Sequence, residues 1–143
     1  MEKTADLLKV RVQIFGARSR DEFDTAFAAI AKARMQAIIV AEDVVFSNNY
    51  GIVAELVIRQ RLHSIGGKWF GDSGGVIGYG VNYLDLYRRT AYFVDRILKG
   101  AKPADLPVEQ PVKFELVVNM KTARALGITI PQSILVRADK VIE

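Results

Sequence analysis

Cysteine is absent from this sequence, and histidine and tryptophan occur once each, as His63 and Trp69. The first absence removes disulfides, thiolate metal sites and cysteine nucleophiles together, while leaving the compartment open, because many exported proteins also lack cysteine. A single histidine with no second histidine or cysteine at ligand spacing makes a poor metal site, so no metal is expected. Long apolar runs are missing too: no stretch approaches the roughly 20 residues needed to cross a bilayer, and membrane insertion is not expected. The first residues, Met1-Glu2-Lys3-Thr4-Ala5-Asp6-Leu7-Leu8, have acids where a signal peptide needs a basic segment, and they lack its apolar core. The chain as written is therefore expected to carry no export signal, and to be cytoplasmic if this start is native. Blocks of one charge sign are lacking as well. The net charge is +4, but basic residues alternate with acids and the densest pairs are Arg59/Arg61 and Arg88/Arg89, so nucleic acid is not an expected partner.

What is present is the composition of a folded α/β domain. Of 143 residues half are apolar and a quarter charged, enough for one hydrophobic core without a metal or disulfide scaffold. Val10, Val12 and Ile14 alternate with Arg11 and Gln13, the pattern of a strand. A helix follows, with Ser19 as N-cap, Glu22 completing a capping box, and Phe23, Ala26, Phe27, Ile30 and Ala31 as its buried stripe. The continuous apolar run at residues 37–40 is that of a central parallel strand covered on both faces. A second helix is expected from Ser47 or Asn48 to about Arg61, with Val53, Leu56 and Val57 inward, then a short strand at residues 62–65. Residues 66–80 hold seven glycines and are expected to be mainly loop, with a brief strand at Val76 and Ile77. Asn82 then caps a third helix whose Leu86, Thr90, Phe93, Val94 and Ile97 share one face until Gly100 ends it. Three strand-then-helix units imply a parallel sheet with right-handed crossovers.

Beyond Gly100 the pattern changes. Pro103, Pro107 and Pro111 recur every fourth residue, which disfavours both helix and central strand and makes an extended connector. A strand at residues 114–118, a helix capped by Asn119 and stopped by Gly127, and an apolar run at residues 128–130 complete the chain. The expected division is an α/β domain over residues 1–100 and a crossover linker with a return strand and helix over residues 101–143.

Two motifs tempt and fail. Gly71-Asp72-Ser73-Gly74-Gly75 matches the nucleophile sequence of chymotrypsin-like proteases. A triad, however, needs a base oriented by a carboxylate beside an oxyanion hole, and the only histidine lies ten residues upstream on an expected strand. Gly78-Tyr79-Gly80 lacks the third glycine of a dinucleotide fingerprint, since Tyr83 stands there. Neither a catalytic residue nor a cofactor is expected, and the chain reads as a non-enzyme. What remains is positional: in an open parallel sheet, ligands bind outside the carboxyl ends of the strands. That rule selects the loops at residues 16–19, 41–48, 66–70 and 78–82. They bring Asp43, Ser47, Trp69, Phe70, Tyr79 and Asn82 towards one edge, where aromatic walls and a few polar groups suit a small molecule. Ser47 and Asn82 also stand where helix caps are needed, and that alternative remains open.

The stretch Leu98-Lys99-Gly100-Ala101-Lys102-Pro103-Ala104-Asp105-Leu106-Pro107-Val108-Glu109-Gln110-Pro111, continued by Lys113-Phe114-Glu115-Leu116-Val117-Val118-Asn119 and Ala125-Leu126-Gly127-Ile128-Thr129-Ile130-Pro131, resembles the C-terminal signature of ABC-transporter substrate-binding proteins of the tryptophan/tyrosine type. The likeness extends back through Gly74-Gly75, Tyr79-Gly80, Asn82 and the Asp43 to Ser47 loop. It implies one lobe of a type I periplasmic-binding-protein-like fold, a parallel sheet between helix layers. Family members have two lobes that close on a solute like a hinged trap. The resemblance implies that the first lobe is missing here. It also carries a ligand-side role onto Asp43 and the Tyr79 region, with Ser47 beside them.

The function so implied is that of a truncated solute-binding component of an ABC transporter, periplasmic by resemblance, taking a small amino-acid-like solute at the inter-lobe cleft and working with an ABC permease. Its alternative is a self-associating structural or ligand-sensing regulatory domain with no transport role. Phe114, Leu116, Val118, Leu126 and Ile128 are expected to lack their usual first-lobe cover, which makes a homodimer the expected assembly.

Overall fold

A computed structural model describes residues 2–143 of the chain, with side chains from Ala5 onward. After helix α1 (Glu2–Leu7) and a short 3-10 turn at Arg20–Glu22, the elements are α2 (Phe23–Lys32), β1 (Ala37–Ile39), α3 (Val44–Ser47), α4 (Tyr50–Arg59), β2 (His63–Gly66), α5 (Lys68–Asp72), β3 (Ile77–Val81) and α6 (Tyr83–Leu98). A 3-10 turn at Pro103–Asp105 precedes β4 (Phe114–Asn119), α7 (Met120–Leu126), α8 (Gln132–Leu135) and β5 (Lys140–Ile142). The five strands form one sheet in the order β1-β2-β3-β4-β5.

The sheet is mostly parallel, as the strand-helix succession requires, with one departure. β1, β2 and β3 run parallel, with Ala37 opposite His63 and Ile65 opposite Ile77, whereas β4 runs antiparallel to β3, with Ile77 opposite Val118 and Val81 opposite Phe114. The cause is the excursion between them. Residues 82–113 leave the sheet at its carboxyl edge and return to the same edge, so β4 must start where β3 stops. β5 then pairs parallel to β4. Residues 101–143 therefore do not stand apart from residues 1–100, since both contribute strands to a single sheet.

Two apolar clusters hold the sheet. One joins Phe23, Phe27 and Ile30 of α2 to Tyr50, Val53, Leu56 and Val57 of α4 and to Phe70 of α5, as helical spacing predicts, while Ala31 of the expected α2 stripe is exposed. The other joins Val76, Val118, Ala123 and Ile130, with Leu116, Leu126 and Ile128 packed against it. This second cluster corrects an expectation: the return segment covers its own apolar residues, and of the set thought to need another partner only Phe114 stays exposed.

Three further expectations change. Residues 10–14 form no strand. Arg11 instead donates to the carbonyl of Ala33 at 2.6 Å, and Val10, Val12 and Ile14 stay exposed. The apolar run at residues 37–40, patterned for a strand flanked on both sides, sits at an open edge, where Ile39 is 78% exposed. Third, α6 buries none of its residues. Its apolar face lines a groove with residues 109–113, which are held by a two-pronged pair between Arg89 and Glu109.

The glycine-rich stretch contains a helix that composition hides. α5 lies flat on β3 because both surfaces are glycine at their closest approach. A Cβ on Gly78 would stand 2.4 Å from the carbonyl of Lys68 and 2.8 Å from the nitrogen of Gly71. A Cβ on Gly75 would meet the Phe70 ring at 2.2 Å. The protease-like pentapeptide is thus a packing device. Gly71 and Gly75 admit β3 and Phe70, Asp72 pairs with Lys140 at 2.7 Å, and Gly74 takes a φ of 112° that favours glycine.

Candidate functional site

The carboxyl ends of β1, β2 and β3 open onto a shelf built by the residues that follow each strand. After β2, Gly67 leads into α5 and sets Trp69 on its outer side. After β3, Asn82 starts α6 and places Tyr83 against Trp69, the two rings stacked with centroids 4.6 Å apart and 13° between planes. Trp69 is 47% exposed, so this aromatic pair presents a face to solvent. Beside it, the ammonium of Lys68 contacts the carboxylate of Glu115, whose other oxygen accepts a hydrogen bond from the Asn82 amide at 2.9 Å. Because β4 begins at this edge, the antiparallel return is what delivers Glu115 to the shelf.

The six expected site residues divide. Trp69 stands on the shelf. Phe70, its neighbour in sequence, is 0% exposed and packs edge-on against Tyr50 with centroids 5.5 Å apart, so it belongs to the core and not to a ligand wall. Tyr79 is 52% exposed, but it faces away from this shelf. Strand side chains alternate, and since a Cβ on either Gly78 or Gly80 would point at α5, Tyr79 points to the opposite sheet face, where it stacks on Phe114.

Of the remaining three, two act as local caps. Asp43 accepts from the backbone nitrogen of Val45 at 2.8 Å and N-caps α3. Ser47 ends that short helix, its hydroxyl donating to the carbonyl of Val44, and does not cap α4. Asn82 accepts from the nitrogen of Asp85 at 2.9 Å as the N-cap of α6, while its amide holds Glu115.

Sequence reasoning passed over Glu42. Its carboxylate oxygen lies where a Cβ on Gly67 would stand, at 2.3 Å, and 3.4 Å from one on Gly80, so it reaches across the carboxyl ends of β2 and β3. The Tyr50 hydroxyl beneath is pushed above its ordinary value, first by burial and then by the negative charge of Glu42. The only advance signal was position, since Glu42 falls in the loop after β1.

A groove of about 570 Å³ lies elsewhere, between α6 and residues 109–113, and shares only Asn82 with the expected site. Its walls include the exposed apolar side of α6, so the groove reflects the lack of cover over that helix. A second depression of about 450 Å³, between the turn at Arg20–Glu22 and α4, is polar and lacks an aromatic wall facing solvent. Among the described residues, no group of three or more histidine or acidic side chains could hold a metal, and no helix is long and apolar enough to cross a membrane.

Solved structures share this architecture closely. A conserved domain protein from Vibrio cholerae superposes over 98% of this chain and 47% of its own, with a TM-score of 0.87 and 24% identity. An ABC domain in complex with L-Trp from Streptococcus pneumoniae matches over 98% of this chain and 48% of its own, at 0.85 and 28%. A substrate-binding protein with adhesive properties from Clostridium difficile, in a ligand-free, open structure, matches over 99% and 47%, at 0.70 and 20%. The chain thus spans about half the length of the structures it resembles. No curated protein matches it. The model of the family described as ABC transporter substrate binding protein matches residues 1–142, so the chain belongs to that family of binding proteins.

Proposed function

We propose that this chain forms one wall of a solute-binding cleft, that the solute is small and amino-acid-like, and that the shelf of Trp69 and Tyr83 is the surface that receives it. The observation that carries this reading is the half-exposed aromatic stack at the carboxyl edge of the parallel strands, the place where open sheets of this kind take their ligands. Family membership and the L-Trp found with one neighbour support it. Delivery to an ABC permease and a place in the periplasm go with that role. The chemistry is recognition, not turnover.

A single wall holds a solute weakly, because drug-sized ligands are usually enclosed over about 70–90% of their surface. Calorimetry on a chain shown to be monomeric tests this. Binding of L-tryptophan in the millimolar range agrees with the reading, whereas submicromolar binding shows that this half alone encloses the ligand.

Self-association is the second reading, and it now rests on α6. Leu86, Val94 and Ile97 are exposed along one side of that helix, while the segment first expected to need cover buries itself. A second copy laid along α6 gives a twofold dimer. Light scattering at micromolar concentration decides it, and a monomer mass ends the dimer reading.

A further inference from the structure

Three of the acids near the shelf have a lysine of their own. Glu115 contacts Lys68, Asp85 is paired with Lys113 at 2.6 Å, and Asp72 is paired with Lys140 at 2.7 Å. Asp43 is engaged with the backbone of α3. Among the described residues, no salt bridge reaches Glu42. Yet this carboxylate has a defined seat, because it fills the space left by the missing side chain of the buried Gly67 and lies within contact distance of the side-chain position of Gly80. Gly67 lies two residues before Trp69 and Gly80 three before Tyr83, which sets the charge beside the aromatic stack.

We infer that Glu42, not Asp43, determines the charge of the accepted solute: it pairs with a protonated amino group while the apolar body of the solute lies along Trp69 and Tyr83. This rests on the shelf reading above and adds to it a ligand class, aromatic or apolar primary amines, and the residue that selects them. The geometry suits the task. An acid held against a glycine backbone loses little freedom when it pairs, and an amine bridging to it meets a carboxylate that no salt bridge among the described residues engages. Asp43 has one of its two oxygens committed to the cap of α3, which fixes the orientation of its carboxylate. The Tyr50 hydroxyl, its ionisation opposed by burial and by Glu42, stays neutral beneath the site.

The test uses the full chain labelled with nitrogen-15 and the indole N–H of Trp69, the only tryptophan, as reporter. Phenethylamine and its neutral counterpart 2-phenylethanol are titrated in parallel at millimolar concentration. The amine is expected to shift the Trp69 signal at a concentration about fivefold lower than the alcohol, the gain of one partly exposed charge-assisted contact. In Glu42→Gln the two probes should become equal. In Asp43→Asn, where asparagine still caps, the preference for the amine should persist. Equal response to both probes in the unaltered chain, or a preference that survives Glu42→Gln and vanishes in Asp43→Asn, overturns the assignment while leaving the shelf in place. Failure of both probes to move Trp69 overturns the assignment and the shelf reading beneath it.

Discussion

Two regions of this molecule carry equally clear helical patterning and meet opposite fates. α2 and α4 bury the stripes that their spacing marks, whereas α6, with Leu86, Phe93, Val94 and Ile97 on one side, buries nothing. Periodicity states which face of a helix avoids water, but not what covers it. In the first region the cover is β1, β2 and α5. In the second, residues 82–113 reach out from the carboxyl edge and touch mainly themselves. The relatives, about twice as long, superpose on nearly the whole chain, so the same excursion exists in proteins with as much chain again.

The contrast breaks most visibly in the core. Phe70→Ala removes a ring seated between Tyr50 and two glycines, and is expected to cost about 3–5 kcal/mol in urea unfolding. Phe93→Ala on α6 should cost less than about 1 kcal/mol, because that ring is only half buried. Equal losses would mean that α6 is covered in solution. Gly78→Ala comes next. Its new Cβ meets the backbone of α5 and not a movable side chain, so a loss of about 3 kcal/mol is expected, with weakened protection of residues 68–72 in hydrogen exchange.

The two capping asparagines sharpen the comparison. Asn119 caps α7 through Thr122 at 3.0 Å and, fully enclosed, donates to the carbonyl of Gly71 at 3.2 Å, while Asn82 caps α6 from a half-exposed position. Thermal unfolding of Asn119→Ala should show a loss of about 2–3 kcal/mol, and that of Asn82→Ala about 1 kcal/mol. The reverse order would place the stable centre of the fold in the wrong region.

The smallest effect is electrostatic. The hydrogen bond from Arg89 holds the Glu109 carboxyl below its ordinary value of 4.5. A lowered folded-state value means that the contribution of the pair is complete above the ordinary carboxylate range and disappears only as pH falls through the lowered value. Residues 109–112 should therefore stay on α6 at neutral pH and detach only at a pH below the ordinary carboxylate range, read from their amide signals. Detachment at pH 6 would contradict the pairing.

Much of the first region was legible because local rules and tertiary packing agree there. The inward residues of α2 and α4, the caps Asn82 and Asn119, and the left-handed Gly127 at φ 71° all stand where spacing and cap chemistry put them. α5 was hidden because its glycines signal loop locally, while their purpose, contact with β3, depends on residues distant in sequence. The direction of β4 was equally hidden, since it depends on where an excursion of some thirty residues returns. At the shelf, position after the strands pointed to loops but not to which of their side chains meet solvent. Trp69 and Phe70 are adjacent on a helix and point about 100° apart, so one meets solvent and the other the core. Asp43 and Glu42 are likewise neighbours, and the need for a cap on α3 decides between them.

The account depends most on where a solute lands. Titrating the labelled chain with L-tryptophan and recording every backbone amide tests this directly. The response is expected in residues 42, 67–70 and 80–83, around the Trp69 and Tyr83 stack. A response confined instead to the groove between α6 and residues 109–113, or to the polar depression beside Arg20–Glu22, would contradict the assignment of the carboxyl edge as the solute-binding wall.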